Sequence, residues 1–312
     1  MSGNSGIFYP QVLCFINHTD AGSVVLKVFL IGVDGQLGTD INKYFTKMGA
    51  EVHGLVGLKE INICDHDKSY ELIKHYGPDI VINTAAFHNV DLCEDEIAQA
   101  FKVNVAGVKN IAAICRGMDI PLINFSTDYV FDGEKRTPYI EKDCPGPSSI
   151  YAISRLGGER VVQYMLEKYY LIRLSGLYGH AGCAGKDNVN FVETMLGLAD
   201  IKRQIKVVDD QVLAPTFTVD VAEKLFELIR TGRYGLYHMT NTGSCSWFKF
   251  ACEIFRFAGI DIDVLPVSSR EFGAKAIRPG YSVLDNANLR EAGLSGMRNW
   301  KEALREYIRD RK

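Results

Sequence analysis

The chain has 312 residues, of which 47% are hydrophobic and 23% charged, with a net charge of −3. At roughly 150 residues per domain it holds about two domains, or one large one, with a core that needs no metal or disulfide staple. The composition excludes a disordered or fibrous chain, no basic face announces a nucleic-acid partner, and no apolar run approaches the roughly 20 residues of a membrane helix.

Residues 1–23 differ in character from the rest of the chain. Met1 to Gly6 is small and polar, and Ile7 to Ile16 is apolar without a cationic flank, so the segment reads as a leader or poorly ordered extension. From Val24 the pattern changes. Val24 to Ile31 reads as a buried strand, followed at once by Gly32-Val33-Asp34-Gly35-Gln36-Leu37-Gly38 and a helix over Thr39 to Met48. Further strands are expected over Glu51 to Leu55, Asp79 to Asn83, Pro121 to Phe125, Tyr169 to Leu174 and Gly235 to Thr240. Between the third and fourth, Ala98, Phe101, Val105, Val108, Ala112 and Cys115 recur at helical spacing. Trp300, Leu304 and Ile308 form a closing helical stripe that packs on the core. Short apolar strands alternating with helices predict an α/β fold: a doubly wound parallel sheet covered on both faces.

The eight cysteines are scattered with no C-x-x-C pair, as in reduced core positions of a cytoplasmic protein. No metal site is expected. Asp209-Asp210 lacks a histidine to complete one and reads as a loop contact. His88 is the histidine nearest the expected substrate side and reads as a loop residue with local hydrogen bonds. The glycine-rich stretch Gly179 to Lys186 has the wrong spacing for a phosphate loop and reads as a loop near the substrate.

Two constellations carry chemistry. A Gly32-x-x-Gly35-x-x-Gly38 turn between strand and helix lets the backbone approach a pyrophosphate, which the helix N-terminus then stabilises. The second strand exits through His53-Gly54-Leu55-Val56-Gly57-Leu58 with no acid before Glu60 to bind a ribose 2′-hydroxyl, so the choice between NADH and NADPH leans to NADPH. Ser126-Thr127-Asp128 closes the fourth strand, where doubly wound sheets place their ligands. A hydroxyl there can polarise a carbonyl while Tyr151 supplies a proton. Tyrosine's ordinary pKa is near 10, so it needs a cation, and Arg155 lies one helical turn further on.

These blocks resemble the dTDP-4-dehydrorhamnose reductase family of extended short-chain dehydrogenases/reductases, from about Lys27 to Ile308. The likeness rests on Gly35-Gln36-Leu37-Gly38, Asn83-Thr84-Ala85-Ala86 with Val90-Asp91, Ser126-Thr127-Asp128-Tyr129-Val130-Phe131-Asp132-Gly133, Pro215-Thr216 and Arg278-Pro279. The stretch Ser244 to Phe248 and the segment after it also look like bacterial members linked to rhamnose or spore-coat polysaccharide synthesis.

The resemblance implies hydride delivery from NADPH or NADH to C4 of a dTDP-4-keto-6-deoxyhexose. Thr127, Tyr151 and Arg155 would be catalytic. Gly32, Gly35, Gln36, Leu37, Gly38, Asp65, Ala85, Ala86 and Asn104, with Tyr151 and Arg155, would hold the cofactor. Val90, Asp128, Tyr129, Asn190, Gln211, Thr216 and Arg278 would hold the nucleotide sugar. It also implies a nucleotide-binding domain over 24–175, a mainly substrate-binding part over 176–312 that returns in places to the Rossmann sheet, and a homodimer.

The chain departs from the family pattern twice. Arg155 stands where the family has lysine in Tyr-x-x-x-Lys; it keeps the charge but cannot give up a proton. Gly176 follows Arg173-Leu174-Ser175 where a tryptophan is common, which predicts a substrate pocket that is wider or of changed shape. Arg155 leaves open a non-catalytic binding subunit resembling the methionine adenosyltransferase beta subunit. An epimerase or dehydratase is disfavoured, because Tyr129 follows Asp128 where dehydratases carry an acid pair.

Overall fold

The structure, a computed structural model, describes residues 25–182 and 189–311. The leader segment and much of the Gly179-to-Lys186 loop lie outside the described residues. In chain order the elements are β1 (Lys27–Ile31), α1 (Gln36–Lys47), β2 (Glu51–Leu55), α2 (His66–Tyr76), β3 (Ile80–Asn83), α3 (Val90–Asp95), α4 (Ile97–Phe101), a π-helical segment (Lys102–Gly107), α5 (Val108–Met118) and β4 (Leu122–Thr127). A 3-10 turn (Asp128–Val130) leads through a loop to α6 (Ile150–Met165), β5 (Tyr169–Leu174) and β6 (Leu177–Tyr178). Then come α7 (Phe191–Ala199), β7 (Gln204–Val208), β8 (Val212–Leu213), β9 (Thr216–Phe217), α8 (Thr218–Arg230), β10 (Gly235–His238) and β11 (Cys245–Ser246). The chain closes with α9 (Trp247–Ala258), β12 (Asp263–Val267), α10 (Ser269–Phe272), α11 (Ala287–Glu291) and α12 (Trp300–Asp310).

The six strands expected from the sequence make one parallel sheet in the order β10-β5-β4-β3-β1-β2. Every residue of β3 and β4 is buried, which is why these strands read as continuous apolar runs. One face is covered by α1 and α8, where Phe226 meets Phe45 edge-on at 5.0 Å. Ile111, Ile114 and Val162 from α5 and α6 cover the other. A third core, apart from the sheet, joins α7, α9, α12 and the pair β7–β12 around Phe250, Ile254, Trp300 and Leu304. The strand order reverses between β2 and β3, so a crevice opens beyond the carboxyl ends of β1 and β3, the usual ligand position of such sheets.

Two sequence expectations change. The stripe from Ala98 to Cys115 is not one regular helix, because the π-helical segment interrupts it and leaves Phe101 on the surface. Gly176 leaves no simple void: its φ is +51°, and a Cβ there would lie 2.5 Å from Leu213 Cδ1. Leu213 fills the space beside Gly176, so of the two expectations the wider pocket gives way to the changed shape. Among the described residues, no helix is long and apolar enough to cross a membrane.

Candidate active site

The crevice begins with the glycine turn. Gly32 has a φ of +83°, and a Cβ there would strike Thr84 Oγ1 at 2.4 Å. Thr84 in turn donates to the Ile31 carbonyl at 2.7 Å, stitching the exits of β1 and β3 together. A Cβ on Gly38 would lie 2.0 Å from the Gly32 carbonyl oxygen, so helix and turn can pack this closely only through glycine. Gly35 is the N-cap of α1, and no side chain caps that helix. Its first N–H groups therefore remain for a ligand, with the positive end of the helix dipole behind them. Leu37 is buried beneath the turn, and Gln36 Oε1 is a buried acceptor with no hydrogen-bond partner among the described residues. An open glycine cradle and an uncapped helix N-terminus suit a dinucleotide pyrophosphate.

At the end of β2 both nearby acids are tied to the backbone. Glu60 Oε2 accepts from Val56 N–H at 2.6 Å, and Asp34 Oδ1 accepts from Gly57 N–H at 3.2 Å. Asp65 is the N-cap of α2, accepting from Lys68 N–H at 3.1 Å. Ala85 and Ala86 follow β3 at the same edge of the sheet.

Ser149 caps α6 by accepting from Ala152 N–H at 3.3 Å, which puts Tyr151 in the first turn and Arg155 one turn later. Thr127, the last residue of β4, stands beside the Tyr151 hydroxyl. Burial pushes the Tyr151 hydroxyl above the usual phenol range, while the Arg155 charge and the neighbouring Thr127 hydroxyl pull it back. Arg155 is itself buried. Its Nη2 donates to the Phe125 carbonyl, and its Nη1 donates to Asn104 Oδ1 at 3.5 Å. Its Nε has no partner among the described residues.

Asn104 lies in the π-helical segment, a distortion common at functional sites. Its amide donates to the Phe87 carbonyl and to Ser154 Oγ, both at 2.9 Å, and its carbonyl accepts from Phe87 N–H at 2.9 Å. Asn104 thus clamps the loop after β3 onto α6. His88 makes the expected local contact, Nδ1 to the Ala86 carbonyl at 3.3 Å.

The expected substrate residues divide into two groups. Tyr129 stands edge-on to Tyr151, with ring centroids 6.1 Å apart, and hydrogen-bonds Arg278. Arg278 also grips Asp91, next to Val90 at the start of α3. Asp128 is turned inward, and Asn190 caps α7 while donating to the Gly179 carbonyl at 2.8 Å and Tyr307 Oη at 3.1 Å. Thr216 is fully buried and donates to the Ala214 carbonyl at 2.9 Å; Gln211 donates to Ser269 Oγ at 2.8 Å. These four side chains therefore brace the walls with their polar groups. Asp209 and Asp210 make loop contacts to Ser246 and Ser269. Ser175 and Ser282, which both donate to Asp128, are missed by sequence reasoning. Ser175 directly follows β5, whose apolar run is visible in the sequence, but nothing marks Ser282.

The model of the RmlD substrate binding domain family matches residues 26–312. The chain is 40% identical over 285 residues to the spore coat polysaccharide biosynthesis protein SpsK of Bacillus subtilis, covering 91% of this chain and 98% of that protein. It is 37% identical to a dTDP-4-dehydrorhamnose reductase of Streptomyces griseus, covering 88% and 90% respectively. It superposes with a TM-score of 0.87 and 36% identity on the dTDP-4-dehydrorhamnose reductase of Bacillus anthracis solved in complex with NADP, covering 92% of this chain and 99% of that one. With nearly the whole described chain inside these matches, the protein belongs to the dTDP-4-dehydrorhamnose reductase family.

Proposed function

We propose that this protein is a soluble cytoplasmic enzyme that reduces the C4 keto group of a dTDP-4-keto-6-deoxyhexose with NADPH or NADH. The observation that carries the reading is the grouping of Thr127, Tyr151 and Arg155 at the carboxyl end of β4, the edge of the sheet that also bears the glycine turn. Gly32, Gly35, Gln36, Leu37 and Gly38 would hold the pyrophosphate, with Tyr151 and Arg155 toward the nicotinamide ribose. NADPH is the preferred form, because no acid follows β2 before Glu60, and Glu60 and Asp34 are each held by a backbone N–H group.

The bound nicotinamide supplies the hydride to C4. Thr127 orients the carbonyl oxygen, and Tyr151 delivers its phenolic proton to that oxygen as negative charge develops. Arg155 holds a fixed positive charge behind Tyr151 and stabilises the phenolate left behind. It cannot pass a proton on, so Tyr151 is reprotonated by another route. Arg278, beside Tyr129, would meet the diphosphate, and the C-terminal part would complete the sugar pocket. A homodimer belongs to this reading, with sedimentation as its check.

The binding-subunit reading is weaker because the proton donor and its hydroxyl partner are both in place. The test is absorbance at 340 nm after the protein has been freed of nucleotide. Catalytic oxidation of added NADPH with a dTDP-4-keto-6-deoxyhexose supports the reductase. Tight NADPH binding without oxidation would favour the binding subunit. Retained NAD that turns over substrate without added cofactor would favour an epimerase or dehydratase.

A further inference from the structure

The carboxylate of Asp128 lies behind the catalytic hydroxyls, 2% exposed, at the meeting point of three chain segments. Thr127 Oγ1, from the end of β4, donates to its Oδ1 at 3.1 Å. Ser175 Oγ, just past β5, donates to its Oδ2 at 2.7 Å. Ser282 Oγ, from the segment before α11, donates to the same oxygen. Both carboxylate oxygens are thus taken by hydroxyls, and Asp128 reaches the reaction through Thr127.

A threonine hydroxyl has one hydrogen to give. In this arrangement Thr127 donates it to Asp128 and accepts the N–H of Tyr129 at 3.2 Å. That hydrogen is then turned away from a substrate carbonyl. We propose that Asp128 is a protonation-dependent positioning residue, which when ionised holds the Thr127 hydrogen and when protonated releases it toward the substrate carbonyl. The inference rests on the reductase reading and deepens it.

The surroundings make protonation accessible. Burial lifts Asp128 to about 6, although Ser282, Ser175 and Thr127 each pull it down. The charged and titratable groups facing this corner are Tyr129, Tyr151 with Arg155 behind it on α6, and Arg278 on the C-terminal segment. The Asp128 charge also raises Tyr151, so neutralising it makes Tyr151 a stronger acid. Both effects favour reduction when Asp128 carries its proton.

The test is the pH profile of kcat for the wild type, Asp128→Asn and Ser282→Ala, with saturating NADPH and dTDP-4-keto sugar. The wild type is expected to lose on the order of tenfold in kcat between about pH 5.5 and about pH 7.5, as one group near the Asp128 value ionises. In Asp128→Asn this step disappears. In Ser282→Ala its midpoint moves to higher pH, because a hydrogen bond that favours the charged form is lost. Ser282 does not itself contact Tyr151 or Thr127 in the bonds described, so a merely structural role would lower the rate without moving the midpoint.

A second readout needs no turnover. A carboxyl raised above its unfolded value stabilises the fold at low pH, and that contribution is lost as pH rises through about 6. The melting temperature of the wild type relative to Asp128→Asn should therefore fall between about pH 4 and about pH 6 and stay level above that. A kcat step that persists in Asp128→Asn, or a midpoint unmoved in Ser282→Ala, overturns the proposal, as does a flat difference in melting temperature. An inactive wild type with the thermal step intact would instead overturn the reductase reading.

Discussion

Arg278 donates through Nη1 and Nη2 to the two carboxylate oxygens of Asp91, at 3.1 and 2.8 Å, tying the C-terminal part to the first turn of α3. Ala276 N–H adds 2.9 Å to the same carboxylate, and Lys275 pairs with Asp95 one turn further along. Arg278 holds the Asp91 carboxyl below the usual carboxylate range, so this pair remains ionised at neutral pH. Nη1 also donates to the Ala276 carbonyl at 3.0 Å, so Nε and the outer Nη2 hydrogen are what the fork would present to a phosphate.

Asp91→Ala is accordingly expected to raise KM for the nucleotide sugar about tenfold, roughly 1.4 kcal/mol, with kcat little changed. Both side chains are partly exposed, so the loss of fold stability should stay below about 1 kcal/mol. Steady-state kinetics with a thermal melt separates the two. An unchanged KM would remove Arg278 from diphosphate binding.

Arg155 leads to a second prediction. Its charge is what the Tyr151 phenolate needs, and its length lets it reach the Phe125 carbonyl and Asn104. Arg155→Lys should therefore retain kcat within about tenfold, and Arg155→Met should lose on the order of 10²-fold. A Met variant as active as the wild type would show that the charge behind Tyr151 is not used.

The glycine turn makes a contrast between two helical glycines. Gly38→Ala forces a methyl into the Gly32 carbonyl and should abolish NADPH binding, with a stability loss above about 2 kcal/mol. Gly117→Ala in α5 meets open space and should gain about 0.5 kcal/mol with binding intact. Fluorescence titration of NADPH and denaturant melts check both.

A fourth prediction concerns acid stability. His238 is buried beside Arg173, which donates to Glu159 at 2.7 and 2.9 Å. Burial and the Arg173 charge depress the imidazole to about 3. A histidine whose folded value lies below its ordinary one contributes stability above about pH 6.5, and that contribution is lost as pH falls toward about 3. His238→Gln should lose stability near neutrality but show a flatter acid limb between those values. An acid limb as steep as that of the wild type in denaturant melts would contradict this.

Much of this architecture was legible in the residues, for physical reasons. The central sheet strands are buried on both faces and so are written as apolar runs, and the glycine turn is spelled out by steric need at Gly32 and Gly38. The pairs β6–β9 and β8–β11 are two residues each, too short to leave a period. The π-helical segment at Asn104 escaped because its residues keep near-helical spacing. Within the site, Thr127, Tyr151 and Arg155 were visible because their chemistry is local in sequence. Ser282 was not, because it reaches Asp128 across 154 positions and a serine in a loop carries no pattern.

The most direct measurement is the rate of NADPH oxidation at 340 nm with dTDP-4-keto-6-deoxyhexose for the wild type and Tyr151→Phe, with NADPH affinity measured on both. If Tyr151 is the proton donor, the Phe variant binds NADPH as tightly as the wild type and loses about 10³-fold in kcat. Equal rates in the two proteins would contradict the account, because the proton would then come from another group.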